Sequence, residues 1–403
     1  MSDVLFVVNA GSSSIKFKLY RVAGKTPEVM IAGALDGIGT RPRLRARDGS
    51  GLNLVDQSFA PQEIAGPHEG QHAIGDWITP FIDDHHLIGV GHRVVHGGPD
   101  YSHPVVIDDS VLARLESFIP LAPLHQLTNI GPIRAIRQRR PELPQVACFD
   151  TAFHRGHPEI SDRFALPRAL YEDGVRRYGF HGLSYEYVSA RLRAIDPEAG
   201  AGAVVIAHLG SGASACALKG GRSQDSTMSF TALDGLPMGT RCGALDAGVV
   251  LHLIEQKGMS PAEVGHLLYH DSGLKGLSGV SSDMRELLAS PAPEAALAVD
   301  YFCLKVAQAV AQFAVTLGGL DALVFTAGIG ERSAPVRARI SAKLALLGVR
   351  LDETANSQAG DAPQGSRIDT ADAGVRVFVI PTDEEAMIAR HTIGLLEERR
   401  PKG

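Results

Sequence analysis

Four cysteines in a chain of 403 residues are too few and too scattered for a disulfide framework. Cys148, Cys216, Cys242 and Cys303 have neither the spacing of a zinc site nor that of a redox motif, which favours reduced thiols in a cytosol. Positive charge is also short: 39 Lys and Arg stand against 45 Asp and Glu, for a net charge of −6. That balance excludes the basic footprint of a nucleic-acid or anionic-membrane binder, so a polyanionic ligand must be met by locally gathered cations. Long apolar runs are missing as well. The longest apolar region, residues 307–330, contains Gln308, Gln312 and Asp321 and divides into a helix and a buried strand rather than a membrane span. Met1-Ser2-Asp3 leads straight into a strand, so no signal peptide is expected. With no low-complexity segment, the length fits two or three ordered domains with substantial cores.

The chain does contain a repeated glycine turn. Val7 to Phe17 sets Gly11, Ser12, Ser13 and Ser14 between apolar runs, and Ile206 to Cys216 matches it without a gap around Gly210, Ser211 and Gly212. Each copy reads as strand, small-residue turn, strand. Small residues let backbone N–H groups approach an anion closely, so two such hairpins suggest a nucleotide clamp. Their spacing, about half the chain, predicts a duplicated α/β domain with a cleft between the halves. The segment from Asp196 to Gly202 reads as a loop, and Ser260-Pro261-Ala262-Glu263 as a capped helix start.

Several shorter strings carry chemistry. Leu323 to Ser333 reads as a buried strand, a glycine turn at Gly328 and Gly330, and a helix N-terminus offering free N–H groups to a nucleotide. Asp283 and Glu286 suit either helix capping or a ribose contact. Beyond a strand over 375–380, Thr382 and Glu385 fit a capping box, leaving Glu384 as a spare carboxylate for Mg²⁺. Arg93 and Arg241 lie in glycine-flanked strings, and His181 precedes a helix expected to be capped by Ser184, with Val188, Leu192 and Ile195 as its buried stripe. Asp150 ends an apolar strand, where a carboxylate is costly unless paired or ligating a cation.

In order along residues 5–390, Asn9 to Lys16, Gly91 to Gly98, Phe149 to His154, Tyr178 to Gly182, Met238 to Arg241 and Pro381 to Glu385 resemble the hallmark segments of the acetate kinase family. The resemblance implies an α/β fold of duplicated ribonuclease-H-like domains, of the sugar-kinase/actin type, with the nucleotide in the cleft. The first domain would comprise 1–150 and 384–403, the second 151–383. It implies reversible phosphoryl transfer between ATP and acetate, with Mg²⁺ or Mn²⁺, in a cytoplasmic homodimer without nucleic-acid or membrane partners. By the same resemblance Asp150, His181 and Arg241 would be catalytic, and Arg93, Val95, Leu124, His125 and Phe180 would bind the acyl substrate. Asn9 and Glu384 would hold the metal, with Ser12 and Ser14 in the phosphate loop. Nucleotide binding would fall to Lys16, His208, Leu209, Gly210, Ser211, Gly212, Asp283, Met284, Arg285, Gly328, Ile329, Gly330, Glu331 and Arg332.

Several positions depart from the family pattern, among them Leu124 to Leu127 and Gly182 to Tyr185, while His125 and His181 themselves remain. Ser211 and Arg332 stand where asparagine is usual, and Ala232 stands for a proline beside the acyl group, which widens the expected pocket. Propionate or another short carboxylate is therefore the nearest alternative substrate. His68-Glu69-Gly70-Gln71-His72 fits a zinc-hydrolase pattern, but Gly70 weakens its helix and no third ligand is evident. An actin-like nucleotide-switched protein would share the clamp without needing both Arg93 and Arg241.

Overall fold

Runs of β-branched and aromatic residues at the chain start form an antiparallel meander, as their strand preference favours. The computed structural model describes residues 2–11, 13–24 and 27–399, apart from the side chains of Pro123, Leu124 and Asp361. These fall into two units, Met1–Phe153 with Asp383–Gly403, and His154–Thr382.

The first unit is built on β1 (Asp3–Ala10), β2 (Ser14–Arg21), β3 (Glu28–Asp36), β4 (Arg43–Asp48), β5 (Asn53–Ser58), β6 (His86–Val94), β7 (Val105–Val106) and β8 (Gln145–Phe149). Among the described residues their order is β5-β4-β3-β2-β1-β6-β8-β7. β1 runs parallel to β6, and β6 to β8. Helices cover both faces of this centre, which is why β1 is buried from Val4 to Ala10 without alternation. Val90 of β6 faces α1 (Pro67–Asp83) and α2 (Pro123–Arg139). Its neighbours Gly89 and Gly91 face Leu396, Ile388 and Thr392 of the C-terminal helix, Glu384–Arg399.

The second unit repeats that plan. β9 (Ala203–Leu209), β10 (Ala213–Lys219), β11 (Arg222–Ser226), β12 (Ala322–Thr326), β13 (Ser366–Arg367) and β14 (Arg376–Val379) are ordered β11-β10-β9-β12-β14-β13. Strand for strand, this reproduces β3-β2-β1-β6-β8-β7 with the same parallel and antiparallel senses. The fold is thus a duplicated α/β domain of the sugar-kinase/actin type. Its helices include α3 (Gly182–Ile195), α4 (Ala247–Glu255), α5 (Met284–Ala289), α6 (Pro293–Leu317), α7 (Ala327–Arg332) and α8 (Ala334–Lys343). α6 is long and apolar enough to cross a membrane by length and composition, and half of that stretch is buried in the unit itself.

Several expectations need correction. The two hairpins are not in gapless correspondence: Ala10 pairs with Ile15, whereas Leu209 pairs with Ala213. The second turn is one residue shorter because the Gly210 N–H closes on the Gly212 carbonyl, while Gly11 reaches Ser14. Ser214 therefore lies opposite His208 as Lys16 lies opposite Asn9. The stretch after Asp196 is a short helix, Pro197–Ala201, because the Asp196 carboxylate accepts the Ala199 N–H (3.0 Å). Gly328 and Gly330 lie inside α7 rather than in a turn before it. Ser184 lies inside the first turn of α3, whose N-cap is His181, and the buried stripe stops at Leu192 because Ile195 ends the helix exposed.

Candidate active site

In the first unit, strand ends and one helix start gather a charged cluster. Arg93, near the end of β6, grips Asp150, just past β8, through Nε to Oδ1 (3.0 Å) and Nη2 to Oδ2 (2.6 Å). This fork-to-fork pairing meets the cost of burying a carboxylate that is 1% exposed. The Arg93 Nη1 donates to Asn9 Oδ1 (3.3 Å). Asn9 Nδ2 in turn donates to Glu384 Oε2 (2.9 Å) and Glu385 Oε1 (2.8 Å). Burial opposes charge on Arg93, yet Asp150, Glu384 and Glu385 hold its proton more tightly than usual. Lys16 is likewise held protonated against burial by Glu385 and Glu384. Burial pushes the Glu385 carboxyl up, with Lys16 opposing.

The expected capping box is not formed. Asp383 caps the C-terminal helix by accepting the Ala386 N–H (2.9 Å), and its other oxygen meets Lys18 (2.6 Å). Glu385 is turned inward to Asn9, and Glu384 is engaged by the same amide. The second-position glutamate of a helix can either cap or turn inward, and here Asn9 and Lys16 decide in favour of the core.

In the second unit, His181 adopts the left-handed conformation (φ 57°) at the start of α3. Among the described non-glycine residues it shares a positive φ only with Ala327, at the start of α7. Such backbone is costly for a residue with a Cβ and is held by its surroundings. His181 Nδ1 pairs with Ser214 Oγ (2.8 Å), and Ser214 is also met by the Tyr185 hydroxyl. The imidazole stacks on His208 with centroids 4.1 Å apart, and His208 is fixed through Ser184 (2.8 Å). This leaves His181 Nε2 toward Gly212. A Cβ placed on Gly212 would lie 3.4 Å from that nitrogen and 3.7 Å from Arg241 Nη2. Two cationic-type donors thus converge on the space above a glycine turn. Arg241 is aimed by its Nη1, which donates to the Ala232 carbonyl (2.8 Å).

Beside the same turn lies a cavity of about 720 Å³, lined by Gly210, Ser211, Asp283, Met284, Arg285, Gly328, Ile329 and Arg332 among others. Asp283 caps α5 and forks with Arg285. Leu209 is buried, and Gly330 lies buried within α7. Glu331 turns back to accept the N–H groups of Ala327 (2.8 Å) and Thr382 (3.1 Å), a bracing role.

Residues 4–390 match the profile of the Acetokinase family. The chain belongs to that family. A protein of Nitrobacter hamburgensis named acetate kinase is 55% identical over 398 residues, covering 98% of this chain and 97% of that protein. One from Rhizobium meliloti with the same name is 53% identical, covering 98% of each. Among solved structures, a propionate kinase from Francisella tularensis aligns with TM-score 0.87 at 36% identity over 97% of this chain and 99% of its own. Porphyromonas gingivalis acetate kinase aligns with TM-score 0.84 at 35% identity over 98% and 100%.

In this chain Val95 and Phe180 are buried, with the Val95 N–H on Asn129 Oδ1 (2.9 Å) and the Phe180 carbonyl paired with His154 (3.0 Å). His125 is half-buried in the first turns of α2. Ser14 opens β2, and its backbone carbonyl closes the first glycine turn. Ser12 and the side chain of Leu124 lie outside the described residues.

Sequence reasoning missed three supports. Gly273 (φ 62°) packs under the loop bearing Arg241, and a Cβ there would come within 2.1 Å of the Met238 carbonyl oxygen. Arg337 is buried in α8 and donates to the Gly330 and Glu331 carbonyls (2.9 Å each), tying down the end of α7. Its signal was legible: an arginine on the same face as Ile340 and Leu344. Tyr185 and Ser214 left no such trace.

Proposed function

We propose that this chain transfers the terminal phosphoryl group of ATP to acetate, giving acetyl phosphate and ADP, and catalyses the reverse reaction. The observation that carries the reading is the convergence of His181 Nε2 and Arg241 Nη2 over Gly212. A carboxylate with a pKa near ~4 is already ionised at neutral pH, so the acetate nucleophile needs no general base. Its difficulty is that an anion attacks a polyanion. Catalysis then rests on alignment and on donors aimed at the transferring phosphoryl oxygens, a role that suits His181 and Arg241. Arg93 binds the acyl carboxylate in this reading, and the acyl-binding role is carried over residue by residue to Val95, Leu124 and His125 of the first unit and to Phe180 of the second. Asp150, committed to the Arg93 fork, is a positioning residue rather than a proton acceptor. The 720 Å³ cavity takes the nucleoside.

The oxygen donors in the first unit are of the type a hard divalent ion takes, although among the described residues no three His, Cys, Asp or Glu side chains gather as a metal site. Asn9, Asp150, Glu384 and Glu385 present oxygen donors without thiolate or imidazole, and two carboxylates share the single amide of Asn9. Asn9 and Glu384 would hold Mg²⁺ or Mn²⁺, which supplies charge neutralisation to the nucleotide phosphates. We further assign the chain to a cytosolic homodimer. α4 is apolar yet has no buried residue, and it exposes Val249 and Leu251 next to Leu245, a face suited to a second copy.

The test is direct. Protein, Mg-ATP and a panel of short carboxylic acids are incubated and acyl phosphate is trapped with hydroxylamine. Acetate should give hydroxamate in preference to longer acids; no product above background from any acid refutes the assignment. Propionate is the second reading, favoured by Ala232 at a family proline position.

A further inference from the structure

α1 and α2 each carry a helix-disfavouring residue where they line one space over the first unit's sheet, although both run on without a break. Gly75 stands in the middle of α1, and a Cβ added to it would meet no atom within 4 Å. Glycine inside a helix sacrifices stability relative to alanine, and no neighbour approaches closely enough to require it here. Pro132 stands inside α2 and has no N–H for the Thr128 carbonyl. The Gln71 amide of α1 donates to that carbonyl instead (3.3 Å).

The resulting cavity, about 150 Å³, is floored by Val8, Ile15 and Val90 and walled by Ile74, Ile78 and Ile136. An apolar space of this size accommodates a chain of about six carbons, and its open side leaves a polar head group in contact with solvent. Its polar lining is mostly basic: His68, His72, Arg139 and Arg140 stand there with the neutral Gln71 and Thr79, and the neighbouring carboxylates, Glu69 beside His68 (3.8 Å) and Asp83 beside Arg140 (2.9 Å), lie outside the lining. Arg139 donates to His72 Nδ1 (3.4 Å), and Arg140 pairs outward with Asp83 (2.9 Å). None of these residues belongs to the site assigned above.

We propose that this cavity binds a medium-chain monocarboxylate, with the alkyl chain between α1 and α2 and the carboxylate held at the rim by Arg139 and His72. An apolar interior whose charged lining residues are arginines and histidines, with no carboxylate among them, selects an amphiphilic anion over a neutral apolar molecule or a cation. Gly75, with no side chain to place there, leaves that interior open.

Equilibrium dialysis with radiolabelled hexanoate tests this on the full-length protein, in saturating acetate and Mg-ADP so that the acyl site is filled. One saturable site per chain is expected, at least tenfold weaker for hexanol, which lacks the charge. Gly75→Leu, which fills the cavity, should abolish binding and raise the melting temperature; Ala135→Phe, on the α2 side, is the second filler should the first not fold. Arg139→Glu should weaken hexanoate at least tenfold while leaving acetyl phosphate formation unchanged. Absence of saturable binding, displacement by acetate, or undiminished binding in a folded filler variant would each overturn the proposal.

Discussion

Arg241 and Arg93 are both arginines in glycine-flanked strings, yet their surroundings separate them. Arg241 points Nη2 at the Gly212 space, so Arg241→Ala should lower kcat by on the order of 2–4 kcal/mol of transition-state stabilisation, with lysine a poor rescue for lack of the planar fork. Steady-state kinetics decide this, and near-normal turnover removes Arg241 from the mechanism. At the C-terminal helix, Glu384→Ala should raise the Mg²⁺ concentration needed for half-maximal activity. Asp383→Ala should instead lose a cap, about 1 kcal/mol, read as a lower melting temperature at an unchanged Mg²⁺ requirement. Ala232→Pro should reduce kcat/KM for propionate relative to acetate by about 1–3 kcal/mol equivalent, if the missing ring is what widens the pocket. An unchanged ratio excludes Ala232 from acyl selectivity. Charged residues beside glycines were legible as site candidates only together, because a single arginine in such a string reads equally well as a surface loop residue and it is the ordered set of strings that singles them out. The inward turn of Glu385 was not, because a box spacing of Thr382 and Glu385 looks the same whether the carboxylate caps or is drawn to Asn9 and Lys16.

At the level of elements, the duplication was readable from two glycine hairpins, since strand-turn-strand patterning is local, whereas the order of the remaining strands is set by long-range pairing and was not. The one-residue difference between the turns was hidden, because small residues fill both and only the pairing partners reveal the register. Supports that act across elements were equally hidden. Gly273 looks like any loop glycine until the Met238 carbonyl is found beneath it. Gly273→Ala should displace the Arg241 loop and lower kcat at least tenfold, while urea unfolding shows a smaller change than loss of a core side chain. A wild-type kcat would mean that the loop tolerates the methyl group.

At the scale of the whole molecule, acid should loosen both units through buried imidazoles. Burial lowers the His92 pKa to about 4 and that of His154 to about 3, from 6.5. The unfolded chain takes up these protons from about pH 6.5 downward while the folded one resists, so stability falls through the window from 6.5 to 4 and stops falling once the folded groups titrate. For His92 this amounts to on the order of 3 kcal/mol. The melting temperature should decline steadily from pH 7 to 4, and His92→Asn, which keeps a polar partner for Gln145, should flatten that slope. Leu251→Asp should shift the species measured by light scattering from dimer to monomer; an unchanged mass places the interface elsewhere.

The C-terminal helix packs on β1, β6 and β8, strands made at the beginning of synthesis. Between Phe153 and Asp383 the ribosome adds the roughly 230 residues of the second unit, which takes on the order of 10–50 s at about 5–20 residues per second. Throughout that interval one face of the nascent first unit lacks its lid, with the glycine-lined groove of Gly89 and Gly91 open, while the continuous second unit is free to fold first. Translation order thus makes the earliest-born half the last to mature, and a prematurely released chain carries a bare sheet for chaperones to shield and proteases to find.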